Sequence, residues 1–149
     1  MAVYKANSDI LKGLRWLSTL DGKTCIRCIA RSGAEWDLEG NPINGNKIPY
    51  HSTPLHLGPC RCQIVPITKS YRELGADIEE PPTGTRASDL GQIKADTTFD
   101  AFLKRHTKKY QDDLLGPGRT ELWRKGTITL SDLLGQDGRP LTLAELRDK

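Results

Sequence analysis

Two short stretches, Thr24-Cys25-Ile26-Arg27-Cys28 and His56-Leu57-Gly58-Pro59-Cys60-Arg61-Cys62, hold all four cysteines of this 149-residue chain. The first is a C-x-x-C pair, and two thiolates at that spacing can grip one ion from a tight turn. In the second, Gly58 and Pro59 supply the turn that folds His56 back toward Cys60. Zinc takes four tetrahedral ligands, with about 2.3 Å to sulfur and about 2.0–2.1 Å to nitrogen. Cys25, Cys28, His56 and Cys60 form such a set, with structural Zn2+ as the expected cofactor. Cys62 is the alternative to Cys60, because a C-x-C chelate is geometrically tighter than C-x-x-C and the two are expected to compete. Two disulfides, such as Cys25 or Cys28 to Cys60, are the rival arrangement for a protein that ends in an oxidising extracellular particle. Thioredoxin-like redox chemistry lacks the βαβ pattern it needs around C-x-x-C. His51 sits between Pro49 and Pro54 and reads as a loop residue.

A hydrolytic zinc site leaves one coordination position open and places a general base beside it. The zinc deaminase signature pairs H-x-E with P-C-x-x-C. Here the second cluster is P-C-x-C, and there is no H-x-E, H-E-x-x-H, G-x-S-x-G, Walker A or G-x-G-x-x-G pattern. Glu35, Asp37 and Glu39 lie between the two half-sites, in a stretch rich in turn residues (Gly33, Gly40, Asn41-Pro42, Asn44-Gly45). They read as a solvated hairpin or loop. The expectation is a closed structural zinc knuckle, with no catalytic residues and no enzymatic activity.

Outward from the cysteines, the chain has three compositional parts. Residues 1–70 carry nine Lys/Arg against five Asp/Glu. They open on a short amphipathic stretch, 8–14, followed by Trp16, Leu17 and Leu20 and the turn signal Asp21-Gly22. The β-branched run Cys62-Gln63-Ile64-Val65-Pro66-Ile67 reads as a strand that Pro66 places at a sheet edge. Residues 71–97 are acidic and broken by Pro81-Pro82-Thr83-Gly84 and Gly91, as an extended linker would be. From 98 onward Phe99, Phe102, Leu103, His106, Tyr110 and Leu114 recur at helical spacing, with Thr97 or Thr98 as cap. Gly116-Pro117-Gly118 stops that helix, and a second runs over 119–125 to Gly126. Thr129-Leu130-Ser131-Asp132 starts a third, and Thr142-Leu143-Ala144-Glu145 is a capping box for the last. The fold class is therefore α+β: a small zinc-stapled β/loop module (1–70), an extended linker (71–97) and a region of short C-terminal helices (98–149).

Only 36% of residues are hydrophobic, so a staple that supplements the core is reasonable. No apolar run approaches the roughly 20 residues of a membrane span. The N-terminus has no apolar signal-peptide core, which predicts a protein made and kept in a cytosol. The net charge of +3 is too small to argue nucleic-acid binding. Lys104, Arg105, Lys108 and Lys109 form a local basic patch, read first as a solvated helix face and second as a contact for a nucleic-acid backbone.

The ordered run Trp16-Leu17-Ser18-Thr19-Leu20-Asp21-Gly22-Lys23-Thr24-Cys25, then Cys28, Pro54-Leu55-His56 and Cys60-Arg61-Cys62, resembles the phage Mu F-like head morphogenesis family of minor head proteins. Leu115-Gly116-Pro117-Gly118-Arg119, Trp123-Arg124-Lys125-Gly126 and Pro140-Leu141-Thr142-Leu143 look like that family's C-terminal extension, so the resemblance spans roughly residues 13–147. The chain departs from the pattern at the histidine. Three residues separate His56 from Cys60, where the family has two, and this leaves open which of Cys60 and Cys62 completes the site. Larger members also carry a long helical region before the tryptophan, and whatever that region does, such as docking to the portal, does not carry over.

The resemblance implies a structural virion protein, a minor head or neck component acting in head assembly, DNA packaging or DNA delivery. Its partners would be other virion proteins (capsid, portal or neck), with packaged DNA as a further contact and neither a membrane nor a small-molecule substrate. It would reside in the virion, and in the host cytoplasm during assembly. Phe99, Phe102 and Tyr110 would anchor it to a neighbour, and 71–97 would order against that neighbour. The alternatives are a zinc-dependent nuclease or hydrolase, and a zinc-ribbon DNA-binding regulator.

Overall fold

The structure, a computed structural model, describes residues 1–53, 55 and 60–149. After a short helix α1 (Ala2–Ala6), the stretch 8–14 leads into strand β1 (Leu11–Leu17). Leu14 and Trp16 point inward and are buried, while Arg15 between them is exposed, the period-two pattern of a half-buried strand. Helix α2 (Ile26–Arg31) follows, then the hairpin β2 (Glu35–Trp36) and β3 (Pro42–Ile43), and then β4 (Gln63–Thr68). These strands form one antiparallel sheet in the order β3-β2-β1-β4. At Gly13 β1 runs so close to β2 that a Cβ there would lie 2.6 Å from the Trp36 carbonyl oxygen.

Strand β4 is an edge, as its proline requires. The Trp16 amide donates to the Ala34 carbonyl, and the Trp16 carbonyl accepts from Gly33. Trp16 and Leu14 therefore turn their backbone groups toward β2, and Arg15 and Leu17 turn theirs toward β4. Pro66 is paired with Leu14, so its nitrogen faces away from the ladder and its missing N–H costs no hydrogen bond.

Residues 71–97 are more than the expected linker. Strands β5 (Thr85–Ser88) and β6 (Gly91–Lys94) form a second antiparallel hairpin. Ile93 is buried in the main core, Ser88 bridges to Leu20, and Arg86 donates to the Ser18 carbonyl. Acidic and proline content disfavours a core of its own for this stretch, but one apolar residue per hairpin suffices to dock it on a core already formed.

The expected helix over 99–114 is two helices, α3 (Phe99–Lys104) and α4 (Lys108–Leu115). Thr98 caps the first, accepting from the Ala101 amide, and Thr107 caps the second, accepting from Tyr110. The break persists because buried Gln111 reaches back and donates to the carbonyls of Leu103 (2.9 Å) and His106 (3.2 Å) at the end of α3, where the Leu103 carbonyl also accepts from the His106 amide. Helix α5 (Pro117–Arg124) begins on proline at its first position. It is followed by a 3-10 turn (Leu130–Leu133) and by α6 (Leu143–Arg147), each started by a two-way capping box, Thr129/Asp132 and Thr142/Glu145.

One main core joins the sheet to the C-terminal helices. Trp16, Ile29 and Trp36 pack in the same cluster as Phe99, Phe102, Leu115, Leu133 and Leu146. Phe99 and Phe102 are thus interior residues, 1% and 0% exposed, and not the expected anchors for a neighbour. His106 is half-buried, stacked on Tyr110 with ring centroids 3.7 Å apart, and its Nε2 lies 3.1 Å from Asp89 Oδ1. Within the basic patch, Lys104 pairs with Asp100 and Lys109 with Asp113, one helical turn away. Among the described residues, no helix is long and apolar enough to cross a membrane.

Candidate metal centre

The C-x-x-C pair opens α2. Cys25 is the N-cap residue, with extended backbone angles, and its carbonyl accepts from the amides of Cys28 (3.0 Å) and Ile29 (2.9 Å). This first turn carries both thiols to the same end of the helix. Buried Ser18 donates to the Cys28 carbonyl at 2.6 Å and so ties the turn to the end of β1.

The C-x-C pair arrives from the other side, immediately before β4. Arg61, between the two cysteines, makes a bidentate pair with Asp21, at 2.6 and 2.9 Å. The Thr19 hydroxyl donates to the Arg61 carbonyl at 3.1 Å. Asp21 also accepts from the Lys23 amide and so forms the turn that the sequence signals there. The Arg61 guanidinium holds the Asp21 carboxyl below its ordinary range, with the Lys23 amide assisting. Both faces of the Cys60-Arg61-Cys62 segment are thereby fastened to the loop that precedes Cys25.

The Sγ atoms of Cys28, Cys60 and Cys62 lie within 4.8 Å of one another, and those of Cys28 and Cys60 are 3.8 Å apart. Cys28 and Cys62 are buried and Cys60 is half-buried. The three cysteines, with Cys25, Thr19, Lys23, Thr24 and Arg61, line a cavity of about 140 Å³. The thiols do not share a common acidity. The Cys62 thiol is held down at about 6, because the Cys28 thiol donates to it and the Thr19 amide is directed at it, which together outweigh burial. The Cys28 thiol is pushed up by its contacts with Cys25 and Cys62 and by burial. A thiol whose acidity is raised in this way gives up its proton readily to a soft cation.

These distances suit a metal. A tetrahedral ion with bonds of about 2.3 Å to sulfur has sulfur–sulfur edges of about 3.8 Å. The group Cys28, Cys60 and Cys62 could therefore close on one ion with small adjustments.

Of the residues expected as ligands, Cys28 and Cys60 stand together, and Cys25 lines the same cavity. His56 lies outside the described residues. Cys60 and Cys62, expected to compete, are both brought to Cys28. The expectation treated the C-x-C pair as a free chelate, whereas Arg61–Asp21 and Thr19 here hold the segment in place for both thiols. The supporting residues Ser18, Thr19, Asp21 and Arg61 carry no signal in C-x-x-C spacing. Only the arginine between two cysteines and the aspartate in the preceding turn hint at them. Among the described residues no carboxylate lines the cavity. Glu35 bonds Arg15 and Asn44, and Asp37 closes its own turn through the amides of Glu39 and Asn41.

Comparison with protein-family models, with curated proteins and with solved structures gives no match. The likeness to head morphogenesis proteins therefore stands on the ordered motif alone.

Proposed function

We propose that the cysteine cluster binds one structural zinc ion, and that the module it staples is a minor head or neck component of a tailed phage. The observation that carries the zinc assignment is the 3.8 Å separation of the Cys28 and Cys60 sulfurs, with Cys62 in the same group. That spacing matches one edge of a zinc–thiolate tetrahedron. Thiolate ligands favour zinc, copper(I) or iron–sulfur centres over hard cations, and a closed site without a carboxylate suits a structural zinc ion. The ion would hold the start of α2 against the segment entering β4, two pieces more than 30 residues apart in the chain. Its binding energy would count directly toward folding.

The virion assignment rests on the motif running from Trp16 through Cys62 and on the C-terminal segments that accompany it. In that role the protein contacts capsid, portal or neck proteins in head assembly, DNA packaging or DNA delivery, and catalyses no reaction. Packaged DNA is the further candidate contact for the unpaired part of the basic patch. Mass spectrometry of purified particles tests this assignment. The chain is expected among the virion proteins at modest copy number, and its absence from particles that contain the rest of the head would contradict the assignment.

A further inference from the structure

Among the described residues Arg31 is the one charged side chain that is buried, only 4% exposed. Its Nε and Nη1 have no hydrogen-bond partner among the described residues. The guanidinium lies over the Trp16 ring, 5.9 Å from its centroid, and its far end reaches the turn at Gly138. Burying a guanidinium without an anion is strongly unfavourable, so a partner for its charge is required. No carboxylate among the described residues pairs with it; the thiols of Cys28 and Cys25 lie close enough to act on its charge, and Arg27 acts with the opposite sign. Geometry explains why. Cys28 and Arg31 are three residues apart on α2, both on its buried face, so the cation faces the same interior as the thiols.

The same cluster has room for Cys25. It caps the helix that carries Cys28, it lines the cavity shared with Cys60 and Cys62, and its thiol hydrogen-bonds that of Cys28. A divalent ion held by four thiolates is doubly negative, and a buried cation beside it offsets part of that charge. We propose that Cys25, Cys28, Cys60 and Cys62 together ligate the ion, and that buried Arg31 is the counter-ion of this four-thiolate centre. This rests on the zinc reading above and names its ligands and its positioning residue. Arg31 then couples the metal to Trp16 and to the Gly138 turn, and so to the C-terminal part of the fold.

The test is cobalt(II) titration of the full chain under reducing conditions, followed by displacement with zinc. It uses the wild type, Cys25→Ser, His56→Ala, Arg31→Met and Arg31→Lys. The wild type and His56→Ala are expected to share one spectrum and one zinc affinity. In Cys25→Ser the thiolate-to-cobalt charge-transfer intensity falls by about a quarter, in proportion to the ligand lost. Arg31→Met weakens zinc binding by about 10–100-fold, the effect of removing a partner outside the ligand shell, and Arg31→Lys restores much of it. Loss of cobalt binding in His56→Ala, or wild-type binding in Arg31→Met, would overturn this inference while leaving a zinc site intact. A wild-type chain that takes up neither cobalt nor zinc would overturn the zinc reading as well.

Discussion

Ser18 shows how much of the centre depends on residues that are not ligands. Its hydroxyl donates to the Cys28 carbonyl within the core and so ties the turn that carries Cys28 to the end of β1. Ser18→Ala is expected to cost about 1–3 kcal/mol, because it strands a buried acceptor, and chemical denaturation would measure the loss. Gln111 has the same standing at the α3–α4 break. Gln111→Leu removes the donors to Leu103 and His106 and strands the Arg124 Nε that bonds its side-chain oxygen, and should also cost about 1–3 kcal/mol. At this scale the sequence was legible in part. Cysteine spacing identified the thiols, because ligand geometry constrains spacing directly. Ser18, Gln111 and Arg31 were silent, because a polar residue's value in a core depends on which group it meets, and that is fixed only by the fold.

Among the elements, caps and edges were the legible features. Thr98, the Thr142/Glu145 box, the stop at Gly116 and Pro66 on an outer strand each rest on local backbone chemistry that the residues themselves carry. The division of 99–114 was not legible, since Phe99, Phe102, His106 and Tyr110 keep helical spacing across it, and Thr107, which caps the second helix, and Gln111, which bonds the end of the first, show their roles only in the fold. The last helix offers a pH test. Arg139, the Thr142 amide and the Thr142 hydroxyl lower the Glu145 carboxyl from 4.5 to about 2. Folding therefore favours the ionised form. The resulting stability is fully present above the ordinary value of 4.5 and is lost as the pH falls through that value toward about 2. Thermal melts of Glu145→Gln against pH should show a shallower decline over that window than the wild type. Equal slopes would mean that the Arg139 and Thr142 contacts do not persist in solution.

For the whole molecule, the unexpected feature is that the segment between the cysteine-bearing part and the helices is partly structural. Ile93, Arg86 and the Leu20–Ser88 bridge attach the β5–β6 hairpin to the loop that also holds the cysteines. Composition hid this, because a hairpin with one buried side chain reads as acidic, turn-rich chain. Replacing 77–82, which is exposed throughout, by Gly/Ser of equal length should change stability by no more than about 0.5 kcal/mol. Ile93→Ser should cost about 2–4 kcal/mol and lower the melting temperature of the protein as a whole, not of one part. The central claim, a metal staple joining the two cysteine pairs, is tested most directly by native mass spectrometry of the full chain purified under reducing conditions with zinc present. The account predicts one zinc ion per chain in the wild type, and in Cys28→Ser both loss of that ion and a lower melting temperature. A wild-type chain that is folded and metal-free would contradict it.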